Sequence, residues 1–151
     1  WATAALRPGA APRRALADAL AGAPGEGPLA VIVDQLEEVF THADAAERRD
    51  FARALWDLVR RTDRTIAAIA TLRVDFLARC GELVLDDAGR RLDEVAYDEA
   101  HRVFVAHMPA ARLAEAITRP AARVGLRLED GLVARLLRDV GEDQGALPIL
   151  Q

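Results

Sequence analysis

Apolar runs and amphipathic stretches alternate along the first hundred residues, and amphipathic stretches alone fill the rest. Residues 29–33, Leu-Ala-Val-Ile-Val, are apolar without interruption between a Gly/Pro-rich break at residues 22–28 and Asp34. Such a run predicts a strand buried on both faces, the kind used by parallel sheets. Residues 66–72 form a second run, and residues 103–105 (Val-Phe-Val) a shorter one. Residues 1–6 are a further strand candidate, ended by the turn signal Arg7-Pro8-Gly9. Between these runs the apolar period changes. Leu16 and Leu20 follow Pro12 at helical spacing, and Phe51, Leu55, Leu58 and Val59 share one face of residues 45–61, with Glu47, Arg48 and Asp50 off it. Residues 74–80 look helical and residues 83–94 polar and irregular. Leu113, Ile117 and Val124 share a face in a helix that Pro120 is expected to kink or split. Leu132, Val133, Leu136, Leu137 and Val140 form a stripe over residues 130–140. Residues 141–145 then break the pattern, and a further helix is expected from Ala146. No internal repeat is visible. Strands alternating with helices and then helices alone predict a parallel α/β layer followed by an α-helical lobe.

Composition narrows what such a chain can do. With 151 residues, 52% of them apolar and 29% charged, it can bury a real core. Aromatics are only 5%, so that core rests on Ala, Leu and Val. All 20 basic residues are Arg, and Ser is absent. That excludes Schiff-base lysine chemistry, a serine nucleophile and an intact Gly-rich phosphate loop ending in Lys-Ser/Thr within these residues. The net charge of -4, with Arg pairs interleaved among acids, argues against direct nucleic-acid binding. The single Cys80 allows no internal disulfide, which suits the cytoplasm. No apolar run is long enough to span a membrane, and no signal sequence opens the chain, so no membrane partner is expected. His42, His101 and His107 have no Cys or carboxylate at metal-ligand spacing. Because Trp1 and not Met comes first, the chain is expected to be a segment of a longer protein.

The sharpest chemical feature is the joint after residues 29–33. In a parallel sheet, ligands bind beyond the carboxyl ends of the strands. Asp34 would therefore stand at the ligand edge on a rigid support, the Walker-B arrangement in which an Asp holds Mg²⁺ beside nucleotide phosphates. Glu37 and Glu38 follow closely enough for either to orient or deprotonate a water. The alternative is that Asp34 caps a helix whose positive N-terminal end the two Glu residues favour. The second run ends in Thr71-Leu72-Arg73, which would bring a guanidinium to the same edge if the two strands are neighbours. There it could contact a phosphate through two parallel hydrogen bonds. The alternative for Arg73 is a structural pairing with Asp34 or Asp75 at a helix start.

Four segments in order, LAVIVDQLEEVF (residues 29–40), IATLRVDF (69–76), RLAEAITRPAARVGLRL (112–128) and GALPILQ (145–151), resemble the STAND-class signalling ATPases. The likeness is to the bacterial novel-STAND domain, often joined to WD or other repeats. It covers nearly the whole chain, least well over residues 1–20 and 83–102. The resemblance implies a partial P-loop NTPase α/β core over residues 1–108, carrying strands two to five, and a helical lid subdomain over residues 109–151. It implies ATP or ADP with Mg²⁺ as ligands, Asp34 as the magnesium ligand, and Glu37 or Glu38 as the acid that places water. Arg73 is similar to the first sensor arginine, with Thr71 inside that motif, and Pro148 to the lid proline near the adenine, with Gly145 three residues before it. Gln35 stands where many relatives carry an acid, which implies a slow switch. Self-association or attached repeat and effector domains are the implied partners. The family's first strand and phosphate loop would lie before Trp1, between the sensor strand and residues 103–105. The isolated segment is accordingly expected to bind ATP weakly and to aggregate. A non-catalytic α/β–helical interaction module with a decayed nucleotide site is the competing expectation.

Overall fold

The computed structural model describes residues 1–106 and 108–140, Val140 by its backbone alone. Three parallel strands, β1 (Ala2–Leu6), β2 (Leu29–Val33) and β3 (Ile66–Ala70), form one sheet in the order β1-β2-β3. Their register sets Leu6, Val33 and Ala70 side by side at the carboxyl ends. The expected α/β layer is therefore present. Helix α1 (Pro12–Ala21) starts on Pro12, whose fixed φ suits the first helical turn. A short helix, α2 (Glu38–His42), follows β2 after residues 34–37; the sequence pattern did not separate it from the loop. Asp44 caps α3 (Ala45–Val59), its carboxylate accepting from the backbone N–H groups of Ala46 and Glu47 at 2.9 Å each.

Helix α1 packs on β1, α3 packs on β3, and the two helices touch each other. Both therefore lie side by side against one face of the sheet, as successive right-handed crossovers require. Leu29, Val31 and Val33 point to the covered face at 1, 0 and 0% exposure, with Ala4 and Leu6 beside them. Burial of β2 on both faces was expected, and here the structure differs. Ala30 and Ile32 on the opposite face are only half-buried, because their neighbours Thr3, Ala5 and Ile69 on that face are themselves exposed.

Past β3, the chain leaves the ladder two residues sooner than the apolar run suggests, so Thr71 and Leu72 belong to the connection. A 3₁₀ helix spans Val74–Glu82 and carries the buried Cys80. Residues 83–94 are less irregular than their polarity implied. Val84 and Arg91 form an antiparallel bridge, Leu83 and Leu85 are buried, and α4 (Leu92–Ala96) begins there. Residues 103–105 are not a strand. Val103, Phe104 and Val105 lie outside the sheet at 89, 63 and 95% exposure. Apolar, β-branched character is a propensity to pair, and a strand forms only where a ladder partner is in place.

The chain divides into two compact units, Trp1–Val103 and Phe104–Gln151. In the second, α5 (Ala110–Arg123) packs on α6 (Leu132–Val140), the helices expected there. Pro120 does not split α5. It lies in the penultimate turn, and the end of the helix is closed behind it. The N–H of Leu126 donates to the Ala121 carbonyl at 2.9 Å and that of Gly125 to the Ala122 carbonyl at 3.1 Å. This double closure needs a left-handed residue just past the helix, which Gly125 supplies with φ +72°.

Candidate functional site at the carboxyl rim of the sheet

The register that aligns Leu6, Val33 and Ala70 brings the next residues, Arg7, Asp34 and Thr71, to one rim. Backbone bonds extend the ladder over the edge. Asp34 N–H donates to the Leu6 carbonyl, Thr71 N–H to the Val33 carbonyl and Leu36 N–H to the Thr71 carbonyl, each at 2.9 Å. The Asp34 carboxylate is thus held from both neighbouring strands. The Thr71 hydroxyl donates to its Oδ1 at 2.8 Å, and the Arg7 guanidinium meets its Oδ2 at 3.2 Å through Nε and through Nη2. The Thr71 hydroxyl bond, with support from Arg7, lowers the Asp34 pKa below the ordinary value against the opposing effect of partial burial.

Thr71 works in two directions, because its oxygen also accepts the N–H of Gln35 at 2.8 Å. Gln35 has φ +58°, a left-handed conformation rare outside glycine, and its amide is held there by that bond. The helix-cap alternative for Asp34 does not hold: α2 begins four residues later, and Glu37 at its cap position makes no side-chain cap bond.

The two acids after Gln35 have different partners. Glu38 Oε2 accepts the Gly9 N–H at 3.0 Å, in a turn anchored by the fully buried Pro8. Glu37 Oε2 faces the other way, 3.4 Å from the backbone N–H of Arg73. The Arg73 side chain forks onto Asp75, Nε to Oδ1 at 3.1 Å and Nη2 to Oδ2 at 2.8 Å, and lies 6.0 Å from the Phe76 ring. Asp75 first and Glu37 to a smaller extent raise the Arg73 pKa. Of the two alternatives for Arg73, the pairing with Asp75 is the one observed. Its guanidinium is nevertheless exposed on the Glu37 side of the rim.

Arg7 and Gly9 escaped the sequence reading, where residues 7–9 served only as a turn. The signal was present: Arg7 follows an apolar strand as directly as Asp34 does. Pro148, with Gly145, lies outside the described residues, and so does His107. His42 approaches Thr41 Oγ1 at 3.1 Å, and His101 pairs with Asp98 at 3.2 Å, neither of them at the rim.

Among the described residues no group of three or more His, Cys, Asp or Glu side chains could hold a metal ion. The donor set at the rim still fits Mg²⁺, which takes one or two carboxylates and keeps waters or phosphate oxygens for its remaining positions. Asp34 is the one carboxylate there that is set by both neighbouring strands, and its side chain is 44% exposed. No helix among the described residues is long and apolar enough to cross a membrane.

A family model described as Novel STAND NTPase 1 matches residues 1–151. No curated protein and no solved structure matches the chain.

Proposed function

The chain belongs to the Novel STAND NTPase 1 family, and from that premise we propose that its rim is the magnesium and phosphate side of an adenine-nucleotide switch. The observation that carries this is that Asp34, the Thr71 hydroxyl that orients it and Glu37 share one sheet edge, with the backbone N–H of the sensor-like Arg73 on Glu37 and its guanidinium turned to Asp75. Asp34 would hold Mg²⁺, and Thr71 acts through Asp34 as a positioning residue. The bound ion would neutralise phosphate charge. Glu38 Oε2 accepts the Gly9 N–H at 3.0 Å and Glu37 Oε2 the Arg73 N–H at 3.4 Å, so each acid keeps one oxygen for a water, and the longer bond leaves Glu37 the less tightly held of the two. Gln35 puts no carboxylate beside Asp34 and spends its N–H on Thr71, which favours slow hydrolysis or exchange over rapid turnover. Nucleotide state would then bias how attached repeat or effector domains assemble. Pro148 keeps its proposed place near the adenine, on the resemblance alone.

The sheet supports the same assignment. Among the described residues β3 pairs only with β2, and Ala68, Ile69 and Ala70 are exposed. A further parallel strand there, leading into a phosphate-binding loop, would set that loop at the rim beside Asp34.

The test is nucleotide binding and hydrolysis by the full-length protein with its attached domains. Asp34→Asn is expected to abolish magnesium-dependent binding, and Arg73→Ala to weaken it by about tenfold, the worth of one forked charged contact. A second reading, a non-catalytic interaction module, is favoured by one feature: Asp34 and Arg73 already have their charges met by Arg7 and Asp75. If both substitutions leave binding, hydrolysis and assembly unaltered, that second reading replaces the first.

A further inference from the structure

The Arg7–Asp34 pair occupies the carboxylate oxygen that a divalent ion would need. Asp34 Oδ1 accepts from the Thr71 hydroxyl, which leaves Oδ2 the carboxylate oxygen not tied to the neighbouring β3 side. That is the oxygen on which Arg7 places both Nε and Nη2, each at 3.2 Å. A cation at Oδ2 and a guanidinium at Oδ2 repel each other and claim the same lone pairs. Resting on the magnesium assignment above, we propose that Arg7 is a built-in counter-ion that competes with the divalent ion for Asp34 and swings off Oδ2 when the ion binds.

The surroundings of Arg7 suit such an exchange. Its main chain is fixed on both sides: Leu6 is the last residue of β1, Pro8 is fully buried, and Gly9 donates to Glu38. The side chain by contrast is 63% exposed. Release therefore needs rotation of the side chain alone, with the turn left in place. A pair this open to water is held weakly, so displacement by a doubly charged ion meets little resistance. While Arg7 is in place, the charge of Asp34 is met without nucleotide. Once released, the same planar fork suits phosphate oxygens, so Arg7 exchanges one anionic partner for another of the same geometry.

Paramagnetic broadening by Mn²⁺ alone tests this without nucleotide or turnover, read at the amide signals of Gln35 and Thr71 in the chain. Arg7→Gln removes the charge and is expected to lower the Mn²⁺ concentration for half-broadening by about fivefold, the scale of an exposed ion pair. Arg7→Lys keeps the charge and should stay within about twofold of the unaltered chain. Adding Asp34→Asn to Arg7→Gln should abolish the effect. If broadening depends on Asp34 but is indifferent to Arg7→Gln, the counter-ion role falls and the magnesium assignment stands. If broadening at these amides is absent or survives Asp34→Asn, the magnesium assignment itself falls, and the counter-ion role with it. An Arg7→Gln spectrum collapsed across the whole chain would make Arg7 a folding residue and overturn the proposal.

Discussion

The two faces of the sheet are built from the same kinds of residue and end in different states. Ala4, Leu6, Leu29, Val31 and Val33 look toward α1 and α3 and are buried, while Ala68 and Ala70 at the β3 edge of that face are exposed. Thr3, Ala5, Ala30, Ile32, Ala67 and Ile69 look the other way, and none of them is fully buried. Parallel sheets in α/β proteins are covered on both sides. The difference shows that an uninterrupted apolar run along one strand does not report burial on both faces; a covering layer does. It also explains why the rim is well defined on this chain alone. The strand ends are pinned from the covered side and by backbone bonds over the edge, so Arg7, Asp34 and Thr71 keep their places whatever lies on the open face.

That contrast can be tested from its strongest side to its weakest. Phe51→Ala removes a fully buried ring of α3 from the covered side and should cost about 3–5 kcal/mol of unfolding free energy, measured by urea denaturation. A loss below about 1 kcal/mol would mean that this side is no true core.

Cys80 sharpens the same point through pH. Burial first, and the Asp93 charge second, push its thiol up to about 11 from an ordinary 9.0. The folded chain therefore holds this proton longer than the unfolded chain. Its contribution to stability is complete below pH 9 and is lost as pH rises toward 11, on the order of 1–2 kcal/mol. Urea midpoints of the chain and of Cys80→Ala, compared at pH 7 and pH 10.5, should converge at the higher value. Parallel curves would place the thiol in a wetter site than the structure does.

The smallest effect belongs to the open face. Ile69, 57% exposed, should tolerate Ile69→Lys within about 1 kcal/mol. The same change should reduce self-association in light scattering, because it puts a charge on an otherwise uncharged edge strand, Ile-Ala-Ala-Ile-Ala. A stability loss like that of Phe51→Ala would show that the two faces are equivalent after all.

Much of this was legible along the chain. The bounds of α1 and β2 coincide with pattern breaks at Pro12, Gly22, Pro28 and Asp34, because Pro, Gly and a charge stop regular structure by local chemistry. Asp34 and Arg73 were visible as polar residues directly after apolar runs, for the same local reason, whereas Thr71 was read within the second run. The structure corrected features that depend on a distant partner. Residues 103–105 have strand-like composition and are not part of the sheet. Pro120 lies inside α5 and does not end it. Arg7 follows an apolar strand candidate as Asp34 does, but only the parallel register set it beside Asp34, 27 positions away.

The order of elements, the polarity of each break and the chemical types available at the strand ends follow from the amino acids alone, since each depends on neighbours within a few residues. Which carboxylate meets which guanidinium, which of two glutamates stays turned toward Arg73, and which sheet face is dry were decided by tertiary structure. Those outcomes depend on strand order and register, which join residues far apart in sequence, and no local pattern encodes such a pairing.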